Sequence, residues 1–515
     1  MKRRNFIKTL AVSGAGAALS FNSIPVKALG FNSVLSKILN PFIETDKVLV
    51  VIQLLGGNDG LNTVIPYQDS TYYTRRPVLA IPSGNVLTLP NTTMGLHPAL
   101  SDMKNLFIDS KVAFVQNVGY ASPNFSHFRA TDIWHTASNS NQYFTTGWLG
   151  RYLREEYPNY PNTIPPDPMA IQIGLSASLS LMSQVGDMSL TFQDPNQFYQ
   201  LVQGPNYNGY EKVKTLAGPE LDFTRRVAAD SLQYATRVRD ASNNGQNLAT
   251  YPTNNSLADQ LKIVARLIDG GLETRLYVVT ITGFDTHTQQ LTPHNTLLTR
   301  LNGAINAFYT DLYLNNISGR VVGLTLSEFG RRVAENGSAG TDHGTAAPMI
   351  LFGDLVNGGI YGNNPDLVNL NNGNLIFQYD YRQVYASALQ QLFAATNQEL
   401  LNVLYQNFQT LPLIVPQQAK IKQGKQTYSM SQNYPNPFNP STEISYTLVK
   451  DSHVTIRIFD VSGREVLTLV NEFKTAGTYR VTFDATGRRN LSSGVYFYKL
   501  QAGDFTDVKK MILVK

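Results

Sequence analysis

The chain has 515 residues, room for two or three domains with sizeable cores, and no cysteine, which excludes disulfides, zinc–thiolate centres and thiol nucleophiles. Any metal must therefore be held by His, Asp, Glu or main-chain oxygen. Charged residues are 15% of the chain, against roughly 25% in an average soluble protein, a composition common among exported surface proteins. The net charge of +5 comes from scattered Lys and Arg, without the basic stripe interleaved with aromatics that a nucleic-acid groove requires.

The chain opens "MKRRNFIKTLAVSGAGAALSFNSIPVKA" (1–28), in which Arg3-Arg4 precede a modest apolar stretch, Thr9 to Phe21, and a small-residue exit at Val26-Lys27-Ala28. This resembles a twin-arginine export signal. The apolar stretch is too short and too rich in Gly and Ser to cross about 30 Å of hydrocarbon. Cleavage is thus favoured over anchoring, and the mature protein is expected to have no transmembrane helix. The twin-arginine translocase carries folded cargo, which fits a domain that loads a cofactor or metal before export.

From 45 to 412, buried-strand runs alternate with helical periodicity. "VLVVIQLL" (48–55), "KVAFVQNV" (111–118), "RLYVVTIT" (275–282), "RVVGLTLS" (320–327) and "APMILFG" (347–353) read as strands covered on both faces. Leu297, Leu301, Ile305, Phe308 and Leu312 line one helical face between two of them. The order implies an α/β domain with a mostly parallel sheet sandwiched by helices. Residues 380–404 read as a closing helix, and 155–260, with weaker periodicity, as an insertion or cap.

Four stretches fall where parallel strands end, the usual place for sites in such sheets. "LLGGNDGLNT" (54–63) turns sharply around Asp59 but lacks the spacing and Lys of a nucleotide loop, which suggests cation binding. "SHFRA" (126–130) sets Ser126 at a helix start, where main-chain N–H groups favour an anion or an alkoxide; an ordinary N-cap is the commoner reading. In "GFDTH" (283–287), Asp285 and His287 lie two apart, so on extended backbone both can grip one ion; a His merely hydrogen-bonded to a carboxylate is the plainer alternative. "LSEFGRRVAENGSAGTDHG" (326–344) delivers Glu328 at a strand end and brings Asp342 and His343 back on a glycine-rich loop. His97, His135 and His294 read as structural or loop residues.

Beyond a polar linker over 413–432, the strands of 433–515 alternate apolar and polar residues between turn signals, as in a small antiparallel, immunoglobulin-like β-sandwich. "SQNYPNPFNPSTEISYTL", "IFDVSGREV", "GTYRVTFDA", "LSSGVYFYKL" and the final "KKMILVK" closely resemble the type A C-terminal sorting domain of the type IX (Por) secretion system. That resemblance implies partnership with the type IX machinery and passage to the cell surface or beyond, and it removes His453 from the site candidates. Such cargo usually enters the periplasm unfolded, in tension with a folded-protein signal at the N-terminus.

"LLGGNDGLNT", "LHPAL" (96–100), "SHFRA", "TGWLGRYL" (146–153), "GFDTH", "SEFGR" (327–331) and "GTDHG" (340–344), in this order, resemble the DUF1501 family, placed in the alkaline phosphatase-like superfamily with sulfatases and phosphoglycerate mutases. The resemblance implies a divalent metal (zinc, manganese or calcium) held by Asp59, Asp285, His287, Glu328 and His343, and Ser126 as nucleophile. It also implies an anionic ester substrate. Phe329 stands where the superfamily has a histidine ligand, so His127 or Asp342 would have to compensate. Arg331 or Arg332 would clamp an equatorial oxygen, although a solvated arginine is the commoner fate. The leading expectation is an exported hydrolase of phosphate or sulfate esters. Its rival is a non-catalytic surface module that binds glycans or a partner, with a mutase or phosphotransferase third.

Overall fold

"VLVVIQLL" forms strand β1 (Val48–Leu55), and its alternation sends Val48, Val50, Ile52 and Leu54 into one apolar layer and Leu49 and Val51 into another. A strand apolar on both faces must lie inside a sheet covered twice. This is a computed structural model. It describes residues 46–161, 163–202 and 233–415, residues 428–514 apart from a few loop positions, and a short pair of strands, Leu19–Phe21 with Ile24–Val26. The expected export signal over 1–28 and the linker over 413–432 fall largely outside the described residues. The chain divides into two compact units near residue 420.

The sheet of the larger unit is completed by β2 (Val112–Gly119), β3 (Ala170–Ile173), β4 (Ser189–Phe192), β5 (Leu276–Thr282), β6 (Val321–Ser327), β7 (Ala347–Phe352), β8 (Gly359–Tyr361) and β9 (Tyr379–Asp380). Their order is β4-β3-β5-β1-β6-β7-β2-β8, with β9 also paired to β2. All pairings are parallel except those of β7, which runs antiparallel to both β6 and β2. The α/β architecture with a mostly parallel central sheet is therefore as the periodicity implied. The stretch 155–260 contributes β3 and β4 to the sheet edge, so its described part extends the sheet itself.

The layer on one face is filled by α4 (Ser256–Asp269) and α5 (Leu291–Leu314), after the short α1 (Ser101–Ile108). Leu297, Leu301, Ile305, Phe308 and Leu312 of α5 are all buried there, each worth roughly 2 kcal/mol of transfer free energy. On the other face lie α2 (His127–Thr136), α3 (Trp148–Glu156), α6 (Tyr381–Phe393) and α7 (Asn397–Leu404). The single closing helix expected over 380–404 is two helices. Ala394 adopts a left-handed φ of 58°, and Thr396 with Glu399 forms a reciprocal capping box that starts α7 afresh.

The smaller unit is all-β, with antiparallel sheets of order β10-β11-β14 and β13-β12-β15-β16. These are β10 (Ser429–Met430), β11 (Ser441–Leu448), β12 (Ser452–Phe459), β13 (Glu465–Lys474), β14 (Gly477–Asp484), β15 (Gly494–Ala502) and β16 (Phe505–Leu513). Ile444, Tyr446, Leu448, Val454, Ile456 and Ile458 occupy alternate positions and share one core, so both sheets bury one face. Among the described residues no helix is long and apolar enough to cross a membrane.

Candidate functional site

Strands β1, β5 and β6 are neighbours in the order β5-β1-β6 and run parallel, so the turns that follow them emerge side by side. β1 ends in Gly56, whose φ of +119° suits glycine, and a Cβ there would lie 2.3 Å from the Asp285 nitrogen. That close approach seats the β1 turn directly against the loop after β5. Glu328 follows β6, and its buried Oε1 accepts the Gly56 N–H at 2.8 Å. Beyond it, Arg331 and His343 face each other across a short antiparallel pairing, so the glycine-rich loop returns His343 to the strand ends.

Four imidazole and carboxylate groups meet there. His127, the first residue of α2, has Nδ1 2.9 Å from Glu328 Oε1 and Nε2 3.4 Å from Asp285 Oδ2. His343 Nε2 is 3.2 Å from Asp285 Oδ1, and one ligand atom each from His127, Asp285 and His343 fall within 4.8 Å of one another. His287 joins them, its Nε2 3.1 Å from Asp285 Oδ1 and 2.9 Å from His343 Nε2. Asp342 is exposed and turned to the far side of His287, with 3.4 Å between its Oδ1 and Nδ1.

The tautomer of His343 follows from its partners. Nδ1 lies 2.7 Å from the Phe125 carbonyl, which only accepts, so Nδ1 donates and Nε2 of the neutral ring keeps its lone pair toward the cluster. Burial holds the His343 pKa below the ordinary imidazole value, favouring that neutral form. Burial pushes the Asp285 carboxyl up, but the hydrogen bond from Arg331 and the Arg331 charge outweigh it and hold the group at about 2.

Arg331 is buried and engaged through all three of its guanidinium nitrogens. It donates to the carbonyls of Gly57 at 2.8 Å, Thr341 at 2.7 Å and Phe284 at 3.0 Å, to that of Gly56, and to Asp285 Oδ1 at 2.7 Å. The arginine expected as an oxygen clamp is thus a buried brace that ties the β1, β5 and β6 turns together. Phe329 lies over Gly57 and against two of the imidazoles, its ring centroid 4.3 Å from that of His343 and 4.9 Å from that of His127.

Two residues expected with this group stand apart from it. Asp59 is buried in its own network: Oδ2 pairs with Arg76 at 2.6 Å and also accepts from Gln290, while Oδ1 is buried without a hydrogen-bond partner among the described residues. Burial raises the Asp59 carboxyl, and Arg76 overcomes this to leave the pKa below its ordinary value. Ser126 is the exposed N-cap of α2, and its hydroxyl makes no hydrogen bond among the described residues. It sits in sequence between Phe125, whose carbonyl accepts the His343 Nδ1–H, and His127 of the cluster. His294 and His97 belong to buried packing, the former with Nε2 3.0 Å from Asn58 Oδ1.

Sequence reasoning had set His127 among the compensating residues, yet it is one of the three tightest groups. Its signal was position, directly after a helix N-cap at a strand-end loop. Arg76 carried no signal at all, because its partner Asp59 is reached only through the fold.

Residues 46–410 match the family described as "Protein of unknown function (DUF1501)", and residues 432–515 match "Secretion system C-terminal sorting domain". The latter indicates export to the cell surface or the extracellular space. No curated protein matches the chain. Among solved structures, the chain is similar to a protein in the alkaline phosphatase superfamily from Vibrio parahaemolyticus, with 9% identity, coverage of 84% of this chain and 85% of that one, and a TM-score of 0.33. It is similar to the PsFucS1 sulfatase from Pseudoalteromonas sp., with 9% identity, 88% and 85% coverage, and a TM-score of 0.33. It is also similar to PorZ, a surface component of the type IX secretion system of Porphyromonas gingivalis, with 17% identity over 17% of this chain and 11% of that one, and a TM-score of 0.13.

Proposed function

This chain belongs to the DUF1501 family, and from that premise we propose that it is an exported, surface-destined hydrolase of phosphate or sulfate esters, using a divalent cation held by His127, Asp285 and His343. The supporting observation is the convergence of those three ligand atoms within 4.8 Å. The donor set suits a cation in two further respects. Glu328 Oε2 is buried with no hydrogen-bond partner among the described residues, and the His343 tautomer turns a lone pair inward. His287 completes the set, with Asp342 behind its Nδ1. Asp59, two buried residues away through Gln290 and Thr341, would support the loops and offers Oδ1 toward any second ion.

A bound divalent ion supplies Lewis acidity toward an ester oxygen and eases deprotonation of a hydroxyl. In this reading Ser126 would supply that hydroxyl, since it stands at the N-terminus of the ten-residue helix α2, where free N–H groups favour developing negative charge. His127 follows it, oriented through Nδ1 by Glu328, which is fixed in turn by Gly56 N–H. Phe329 closes one wall with an apolar ring and limits water beside His343. Export would start through the twin-arginine translocase and finish through the type IX machinery by way of the C-terminal unit.

Phe329 also favours a second reading, a non-catalytic surface binding module, since it stands where the superfamily resemblance calls for a ligand. Elemental analysis of the purified protein, with a panel of aryl phosphates, phosphodiesters and sulfates and Asp285→Asn as control, separates the two. Bound metal with turnover lost in Asp285→Asn is the expected result; bound metal without turnover of any ester leaves the binding module.

A further inference from the structure

A cavity of about 690 Å³ opens where two strands of the main sheet part. β3 pairs with β5 only from Ala170↔Leu276 to Gln172↔Val278, whereas β5 continues beside β1 to Thr282. The exposed edge of β5 is not left vacant. The Gln260 carboxamide of α4 imitates a strand there, accepting from Thr280 N at 2.9 Å and donating to Thr280 O at 2.8 Å. The split is therefore a built feature, and the edge is closed to an added peptide strand.

Its walls are rich in neutral hydrogen-bonding groups. Gln53 is only 5% exposed and lines the cavity, and its side-chain amide makes no hydrogen bond among the described residues. Thr131, Gln172, Gln193 and Thr282 add amide and hydroxyl groups, while Leu55 and Ile173 supply apolar surface. No Lys or Arg is among the lining residues, the one acid there is the exposed Asp259, and burial holds His135 at about 4, so that ring is neutral at neutral pH. An amide that is open to the cavity and has no protein partner among the described residues favours a ligand that brings its own hydrogen bonds.

The cavity and the cluster share no lining residue but are linked along one helix. His127, Thr131 and His135 recur every four residues on α2, at about 1.5 Å of rise per residue, so the line runs from cluster to cavity wall within two turns. β1 and β5 make the same connection, through Leu55 beside Gly56 and through Thr282 three residues before Asp285.

We infer that this cleft binds an uncharged sugar ring and presents a phosphate or sulfate ester on that ring to the cluster. The sugar-binding half stands on the cavity alone, and the ester half rests on the hydrolase reading above. The test uses the full chain on a panel of neutral, sulfated and phosphorylated oligosaccharides, beside a panel of extended peptides. Ser176→Trp, from an exposed lining loop, and Thr131→Trp each fill the cleft. Both should weaken oligosaccharide binding by about tenfold or more and leave hydrolysis of a sugar-free aryl ester unchanged. Retained oligosaccharide binding in both variants overturns the inference, as does a wild-type chain that binds peptides and no oligosaccharide. Sugar binding without ester turnover keeps the cleft and removes only the hydrolase.

Discussion

Arg331→Met is the substitution on which the site makes its strongest demand. The guanidinium is 2% exposed and donates to four backbone carbonyls and to Asp285. At about 1 kcal/mol net per hydrogen bond, the four carbonyls alone represent roughly 4 kcal/mol. The Asp285 share adds little, because that side chain is 47% exposed and solvent screens the pair. Methionine recovers some apolar contact, so a loss of about 3–5 kcal/mol is expected, as for other broken buried charge contacts. The assay is urea denaturation followed by tryptophan fluorescence, which isolates the larger unit because the only two tryptophans, Trp134 and Trp148, are buried there. A second readout is chemical: without Arg331, the Asp285 carboxyl should titrate well above its present value of about 2. A variant within about 1 kcal/mol of wild type, with Asp285 still strongly acidic, would refute the bracing role.

Asp59→Asn should destabilise the larger unit by about 3 kcal/mol, since it strands the buried Arg76, while metal bound at the His127 cluster stays at wild-type content; a folded variant that loses metal would instead make Asp59 a ligand. Burial lowers His97, His135 and His294 from the ordinary 6.5 to about 4. Between those values the unfolded chain binds protons that the folded one refuses, so the stability these residues carry is complete above pH 6.5 and is lost as pH falls toward 4. A denaturation midpoint that stays flat across that window contradicts their neutral burial. Gly56→Ala must relieve a left-handed φ and a 2.3 Å approach to the Asp285 nitrogen, so metal affinity, measured by competition with a chromogenic chelator, should fall about tenfold or more. Wild-type affinity there would mean that the two turns do not depend on one another.

The alternation of two-sided apolar runs with one-sided helical stripes specified a covered parallel sheet before any coordinates, because burial on both faces leaves a strand no other environment. Alternating strands and turn signals did the same for the C-terminal unit, and the order of strand ends named most of the groups that gather at the site. Sequence could not reveal which of those groups touch. Asp59 and Asp285 look alike along the chain, each an acid after a glycine-bearing turn, yet one is taken by Arg76 and the other is held open by Arg331. Arg331 reads as a surface cation in sequence and proves to be interior, because only the packed turns supply enough carbonyls to bury a guanidinium. The break at Ala394 and the split between β3 and β5 were likewise settled by tertiary contacts, since a local period says what a segment can become and not where its neighbours stop pairing with it.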